Sequence, residues 1–309
     1  MQSVTQAFIS RAAALAVLCA VLAAPVSAQT RQKVFSTPEE AVKGLVAAAK
    51  ANDIKAMLAV LGPEASSVIS SGDPVDDRAT YERFAKAYDE ANRLERQGDA
   101  KATLFVGKDD WPLPFPLVKS EAGWQFNARS GLAEVITRRI GRNELAVIQA
   151  MQAYVDAQNE YYQRNPDNDR LLHYAQKVAS SKGKRDGLYY STREGEPPSP
   201  LGSLFAQAHA GGYKSGEGAK PAPYHGYVYR ILAAQGPDAK GGAYDYVVRG
   251  KMIGGFALVA YPAIYGNSGV MTFIVNHDGV VFQKDLGPAT GSLAGKMTKF
   301  NPDSSWKRL

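Results

Sequence analysis

GAYDYVVRGKMIGGFALVAYPAIYGNSGVMTFIVNHDGVVFQKDLG, residues 242–287, is the most strongly patterned stretch of the chain. Apolar residues alternate through it, and Phe256, Leu258 and Ala260 fall on one face of a first strand. Residues 270–275 and 280–282 predict two further strands, and the glycine-containing segments 266–269 and 277–279 predict the turns between them. The stretch therefore predicts an antiparallel β-meander, and it contains no recognisable active-site motif.

Length and composition set the class of protein. The 309 residues are 45% hydrophobic and 21% charged, which is typical of a globular chain with room for two modest cores. The net charge of +6 is a mild excess, and no long basic run concentrates it. We therefore expect no nucleic-acid partner.

The first 28 residues have the pattern of a removable signal peptide. Arg11 supplies the positive charge, residues 12–24 form an apolar run too short for a membrane span, and residues 26–28, VSA, resemble a cleavage site. We expect cleavage after Ala28, a periplasmic or secreted protein, and no membrane span after processing. Because Cys19 is the only cysteine, the processed chain would contain no disulfide, thiolate metal site or cysteine nucleophile.

Helices precede strands in the N-terminal half. Thr37 and Pro38 predict the start of a first helix, Asp53 that of a second ending near Leu61, and residues 76–96 a third. Strands are predicted at 102–106, 115–119 and 123–127, with Trp124 facing inward. This order indicates an α+β domain over residues 29–140. It resembles the small cone-shaped nuclear-transport-factor-two-like fold, in which helices pack on a curved sheet, and that resemblance implies a small-ligand pocket inside the cone.

The C-terminal domain is predicted over residues 141–309. A connecting helix at 130–140 is predicted to lead into it, and the domain starts with a hinge or cap at Gly141 and a long helix over 142–162. A second helix is predicted from near Asp169, a short one at 200–210, a strand at 224–232 and an amphipathic helix in the tail at 287–300. The expected architecture is a long helix carrying an antiparallel sheet.

Two family resemblances extend this interpretation. The stretches VGKDDWPLPFPLVK (106–119), GRNELAVIQAMQAYVDAQNEYY (141–162), GEPPSPLG (195–202) and YGNSGVMTFIVNHDGVVFQKDLG (265–287) resemble the exported bacterial family catalogued as domain of unknown function 2950. The C-terminal half is also similar to the globular part of type IV pilins and pseudopilins, on a pattern of Pro262, Gly266, Gly269, Phe273, Asp278, Gly279 and Val280. The second resemblance implies a sheet-on-helix module displayed at the cell envelope. The chain departs from pilins in having a removable signal followed by a separate domain.

Asp109, Asp110 and Trp111 are the first candidate site. Adjacent carboxylates beside an aromatic ring are typical of a site for a sugar or a hard cation. The alternative is a capped tight turn before Pro112 with a buried tryptophan, since aspartate favours turns.

The histidines offer little catalytic signal. His225 lies at a strand start, and His277 lies beside Asp278 in a turn without a serine nucleophile elbow nearby. His173 is placed on the predicted helix from Asp169, and no H-x-x-x-H or H-E-x-x-H spacing is present. We expect no metal and no cofactor.

Tyrosines are the remaining candidates for binding. With His225, the set comprises Tyr224, Tyr227, Tyr229, Tyr244, Tyr246, Tyr261 and Tyr265. Aromatic side chains supply a large contact area at low entropic cost, so this set is typical of a face that recognises a protein or a glycan. The alternative is that they are ordinary strand residues.

The prediction is a non-enzymatic exported envelope or periplasmic binding or assembly protein that acts through the tyrosine-rich C-terminal sheet. One alternative is a periplasmic hydrolase of cell-wall or glycan material that uses Asp109, Asp110 or His277. Another is small-ligand binding in the N-terminal cone. Convergence of Asp109, Asp110, His225 and His277 on one pocket would favour the hydrolase.

Overall fold

The structure, a computed structural model, describes residues 31–210, 212–213 and 222–309. The predicted signal peptide and its cleavage site lie outside these residues. Within them, helices and antiparallel sheets occupy separate parts of the chain, which confirms the predicted α+β class.

Four α-helices open the described chain: α1 (Pro38–Lys50), α2 (Ile54–Leu61), α3 (Ser66–Ile69) and α4 (Pro74–Glu90). Their starts follow from the sequence, because Thr37 accepts a hydrogen bond from the Glu40 N–H and Asp53 accepts one from the Ala56 N–H. Asp73 caps α4 in the same way, through the N–H groups of Val75 and Asp76.

An antiparallel sheet follows: β1 (Asn92–Gln97), β2 (Lys101–Val106), β3 (Trp111–Pro112), β4 (Leu117–Ser120) and β5 (Gly123–Phe126). The strands lie in the order β1-β2-β4-β5, and β3 pairs with β2. The prediction that the third helix reaches residue 96 is wrong, because residues 92–97 pair with β2 along their whole length. Tertiary pairing overrides the helix propensity of that segment. Trp124 is buried, as predicted.

A single 33-residue helix, α5 (Leu132–Arg164), connects the two halves. The predicted hinge or cap at Gly141 is wrong, because the helix continues through this residue. Arg139 and Asn143 on either side are buried and hydrogen-bonded to other elements, and these contacts outweigh the low helix propensity of one glycine. The helix ends at Asn165, which adopts a left-handed conformation with φ of 47°.

The helix predicted from Asp169 does not form. Asn165 binds the backbone N–H and carbonyl of Asp169 through its side chain, which offers the backbone an alternative to helical hydrogen bonds. The segment is held instead by an isolated bridge between Tyr174 and Met252. Helix α6 (Gly202–Ala210) confirms the short helix predicted at 200–210.

The remaining elements form the C-terminal half: β6 (Tyr227–Leu232), β7 (Ala234–Gln235), β8 (Tyr244–Asp245), β9 (Val247–Val248), β10 (Lys251–Met252), β11 (Ala257–Pro262), β12 (Met271–Asn276), β13 (Val281–Asp285), α7 (Thr290–Gly295), β14 (Lys299–Phe300) and β15 (Lys307–Arg308). The main sheet is antiparallel with the order β15-β13-β12-β11-β6, so the predicted meander is confirmed. The tail helix is shorter than predicted, because residues 299–300 pair with β7.

Strand β11 departs from the predicted one-sided burial. Residues 257–260 are all at most 2% exposed, so both faces of the strand are covered. Helix α5 lies against one side, where the Tyr154 hydroxyl donates to the Ala257 carbonyl at 3.3 Å. Helix α7 and β14 also contact this strand. A strand that is covered on both faces has apolar residues at consecutive positions, as residues 256–260 (FALVA) do.

The buried side chains divide into two cores along the chain. The first core is built from the N-terminal helices and sheet and includes Leu104 and Leu117. The second begins at Val147 in α5 and includes Tyr227 and Phe273. Helix α5 contributes to both, with Val135 packed on the first core and Val147 in the second.

Candidate functional site

The two halves meet at a buried carboxylate. Asp73 is 1% exposed, and its Oδ1 atom accepts hydrogen bonds from the N–H groups of Val75 and Asp76. Its Oδ2 atom accepts from the Tyr213 hydroxyl at 2.6 Å and from the Gly226 N–H at 3.0 Å. One side chain thus caps a helix of the N-terminal half and fixes the turn that leads into β6.

Four half-buried rings surround this contact, and we call Tyr213, Tyr224, His225 and Tyr229 the junction cluster. The Tyr213 and Tyr224 rings meet edge to face with centroids 5.1 Å apart. Tyr224 lies 4.2 Å from His225 and 6.4 Å from Tyr229 between ring centroids. These separations are those of interacting aromatic pairs, so the four rings form one continuous aromatic surface.

The backbone at His225 is unusual. His225 and Gly226 have φ of 52° and 71°, and the N–H and carbonyl groups of Tyr224 and Tyr227 pair across them. Two successive left-handed residues across such a pair define the tight turn that joins two strands. Asparagine, aspartate or glycine usually occupies the first position, and here a histidine does so.

Charged groups border the cluster. Asp76 lies 3.4 Å from the Arg142 guanidinium on α5 and 3.5 Å from that of Arg83. Burial lowers the pKa of His225 below its usual range, against the opposing influence of Asp76 and Asp73. The imidazole is therefore neutral at neutral pH, and it can both donate and accept a hydrogen bond.

Tyr229 adds a buried polar atom to the cluster. Its hydroxyl is inaccessible to solvent and has no hydrogen-bond partner among the described residues. Burial raises the pKa of Tyr229 far above that of a free tyrosine, so the group is a neutral hydroxyl. A buried hydroxyl without a partner is costly, and a ligand or water oxygen within reach would relieve that cost.

Two of the predicted tyrosines are core residues. Tyr227 and Tyr246 are fully buried, and their hydroxyls donate to the Met271 carbonyl and the Gln235 Oε1 atom, each at 2.9 Å. Their assignment to a recognition face is therefore wrong. The hydrogen bond that each hydroxyl makes explains how a tyrosine is accommodated inside the core.

The other predicted tyrosines do not share one surface. Tyr224 and Tyr229 lie at the start of β6, whereas the exposed Tyr244 lies beyond its far end, where β8 pairs with β7. Tyr261 is half-buried on β11, and the Tyr265 hydroxyl donates to Asp285 at 3.2 Å. Only the first pair belongs to the junction cluster.

Asp109, Asp110 and Trp111 form a surface turn between β2 and β3. Asp110 adopts φ of 51° and accepts a hydrogen bond from Arg93 at 3.0 Å. The predicted burial of Trp111 is wrong: it is 40% exposed, because β3 is a two-residue strand at the sheet margin. Asp109 is exposed beside them. The Asp110 N–H donates to the Gly107 carbonyl at 3.2 Å, so the segment is a tight turn, as in the alternative, but with an exposed ring.

His277 lies in a separate environment. Its ring contacts those of Tyr246 and Phe256, with centroids 5.6 and 6.2 Å away, and its buried Nδ1 atom has no hydrogen-bond partner in the described part of the chain. In the described structure Asp110 contacts Arg93 and His225 contacts Tyr224, and no hydrogen bond, ion pair or ring contact joins these candidates to His277.

Sequence reasoning missed three residues at the junction. Asp73, Tyr213 and Arg142 lie far apart along the chain, and the Asp73–Tyr213 hydrogen bond spans 140 positions. The one available signal was Asp73 before Pro74, which predicts a helix cap but no second partner.

The N-terminal half presents a different feature, an open groove of about 590 Å³ lined by Ala49, Lys50, Glu82, Ala85, Lys86, Asp89 and Glu90. Its lining residues come from α1 and α4 alone, whereas the predicted ligand pocket was inside the cone formed by helices and sheet.

Comparison with known proteins identifies a family and no characterised relative. None of the helices in the described part of the chain has the length and apolar character needed to cross a membrane. No curated protein and no solved structure matches the chain significantly. Residues 32–309 match one family model along their whole length, and the chain accordingly belongs to the family described as "Protein of unknown function (DUF2950)".

Proposed function

We propose that this protein is an exported, non-enzymatic binding protein of the cell envelope that recognises a glycan through the junction cluster. The observation that carries the proposal is the continuous aromatic surface of Tyr213, Tyr224, His225 and Tyr229 beside Asp76 and Arg142. Aromatic rings pack against the C–H faces of a sugar, and the exposed guanidinium of Arg142 at the edge has further N–H groups that can donate to its hydroxyls.

The hydrogen bonds of Asp73 argue against a hydrolase at this site. A glycoside hydrolase needs a pair of carboxyl groups on either side of the bond that breaks, one protonated. Asp73 already accepts four hydrogen bonds through its two oxygens. Asp76 is paired with two arginines. Both carboxylates are thus engaged in holding the structure, which favours binding without cleavage.

His225 supports a role in recognition. A histidine at φ of 52° costs backbone energy that asparagine or glycine would largely avoid at the same turn position. The neutral imidazole brings an aromatic face and two hydrogen-bonding atoms to the cluster, which the usual turn residues lack.

The proposed export rests on the signal pattern of residues 1–28, and the order of long helix and antiparallel sheet supports the pilin-like display at the envelope.

The test is a titration of the purified protein with chito-oligosaccharide and co-sedimentation with purified peptidoglycan sacculi. Tyr224→Ala should weaken binding about tenfold or more, the effect of losing an aromatic anchor. Tyr244→Ala, an exposed tyrosine at the far end of β6, is the matched control and should bind as the wild type does. Failure of both glycans to bind, or equal loss in both variants, would overturn the proposal. Release of reducing ends from either glycan would restore the hydrolase alternative.

A further inference from the structure

We propose that Asp167, Asp169 and His173 form a binding site for one divalent transition-metal ion of the Zn²⁺ type. These residues, here called the Asp–His cluster, lie in the irregular segment after α5, and none of them belongs to the junction cluster. Each offers one ligand atom, and the three atoms lie within 4.8 Å of one another. One imidazole and two carboxylates are a donor set that Zn²⁺ accepts, with water completing the coordination.

The hydrogen bonds of His173 orient it as a ligand. His173 is 7% exposed, and its Nδ1 atom lies 3.0 Å from the Tyr174 carbonyl oxygen. A carbonyl oxygen only accepts, so Nδ1 carries the proton and Nε2 of the neutral ring carries a lone pair. Metal-binding histidines are commonly fixed by this N–H to carbonyl contact.

The lone pair of His173 faces a carboxylate. Its Nε2 atom lies 2.9 Å from Asp167 Oδ2. If the ring is neutral, Nε2 and the carboxylate oxygen are both hydrogen-bond acceptors, and they repel each other at this distance. A positive charge between them is therefore required, either a proton on Nε2 or a metal ion. The Oδ1 atom of Asp167 is buried and has no hydrogen-bond partner among the described residues, which leaves a further electron-pair donor unused at the same place.

Lys251 now supplies the positive charge. Its ammonium group contacts Asp169 and lies 3.4 Å from His173 Nε2. The lysine is carried by β10, its side chain is 36% exposed, and its flexible stem can turn to solvent. Metal ligands about 2.1 Å from a shared ion are at most about 4.2 Å apart, so a small inward movement completes the site once Lys251 leaves. The ammonium and the metal ion thus compete for one position.

This competition predicts that removal of the Lys251 ammonium group increases the affinity for the metal ion. Tag-free protein is titrated with Co²⁺, whose visible absorption reports coordination, and with Zn²⁺ in competition. We expect about one ion per chain. Lys251→Met should bind about tenfold more tightly, because it removes a positive charge from the site. A salt-bridge network without a metal function predicts no such gain.

Ligand variants complete the experiment. His173→Ala and Asp167→Asn should each weaken binding by about 10- to 100-fold or more. Asp110→Asn, which removes a surface carboxylate paired with Arg93, is the matched control and should leave the affinity unchanged. Absence of saturable absorption in both the wild type and Lys251→Met would overturn the site, even if a ligand variant fails to fold. Unchanged affinity in His173→Ala would overturn it as well.

Discussion

Arg139 connects the two halves of the molecule through three hydrogen bonds. It lies on α5 and is 7% exposed. Its guanidinium donates to the Ser67 carbonyl and to Asn267 Oδ1, each at 2.7 Å, and to the Val68 carbonyl. Helix α3 and the turn before β12 are thereby fixed to the same helix. We predict that Arg139→Ala destabilises the protein strongly.

The magnitude follows from two opposing effects. Hydrogen bonds from a charged donor contribute about 1.5–3 kcal/mol each, and removal also leaves the buried acceptors without a partner. Against this, burial disfavours the charged guanidinium and lowers the pKa of Arg139, so the variant recovers part of the desolvation cost. Removal of one partner from a buried charged network costs about 3–5 kcal/mol on balance, and we expect that range here.

The neighbouring Arg138 provides the control. Its side chain is 62% exposed and pairs with Glu134 one turn earlier, an arrangement that contributes about 0.3–0.5 kcal/mol. Urea unfolding followed by circular dichroism and by tryptophan fluorescence gives the free energy of unfolding of each variant. If Arg139→Ala comes within about 1 kcal/mol of Arg138→Ala, the buried network does not hold the halves together, and the reasoning is wrong.

Two further predictions concern the C-terminal half. Gly269→Ala places a Cβ atom 2.1 Å from the Tyr227 hydroxyl, inside the core, and should destabilise by about 1–3 kcal/mol or more, measured by urea unfolding. Gly291→Ala, on α7 where no described residue meets the new Cβ within 4 Å, should be neutral or stabilising. Burial lowers the pKa of His225, so the unfolded chain takes up a proton at this histidine more readily than the folded protein does. The stability that the neutral imidazole contributes is therefore complete above pH 6.5 and is lost as the pH falls below that value. His225→Asn, which tolerates the left-handed backbone, should reduce the loss of stability between neutral and mildly acidic pH; an unchanged pH profile would contradict this assignment.

Local signals in the sequence predicted most of the fold. The caps at Thr37 and Asp53 and the alternation in residues 256–282 correspond to helices α1 and α2 and to the β11–β13 meander. These features depend on neighbours a few positions away, which the sequence displays directly. The errors arose where distant contacts decide. Residues 92–97 become a strand because β2 offers a partner, and Gly141 stays helical because residues on both sides of it are anchored elsewhere.

The candidate sites were less predictable, for the same reason. The tyrosines stand out in the sequence because they are numerous in this region. Tyr227 and Tyr246 are buried whereas Tyr224 is not, and alternation along a strand does not show which tyrosine is buried. The hydrogen bonds of Asp73 and His173 include partners that are distant along the chain and that only the folded structure brings close. His173 was assigned to a helix, where its contact with Asp167 could not be foreseen. Ionisable networks of this kind become visible only with the tertiary structure.

Asp73 connects the two halves of the molecule and also holds one ring of the junction cluster, Tyr213, in place. Its Oδ1 atom caps α4 in the N-terminal half, and its Oδ2 atom holds Tyr213 and the turn at Gly226 in the C-terminal half. A ligand that packs on Tyr213 and Tyr224 therefore contacts residues whose positions depend on how the halves meet. Binding to the assembled junction must stabilise that arrangement over any looser one, because a ligand favours the state that it binds more tightly. The proposed glycan binding at this cluster should consequently also strengthen the attachment between the two halves.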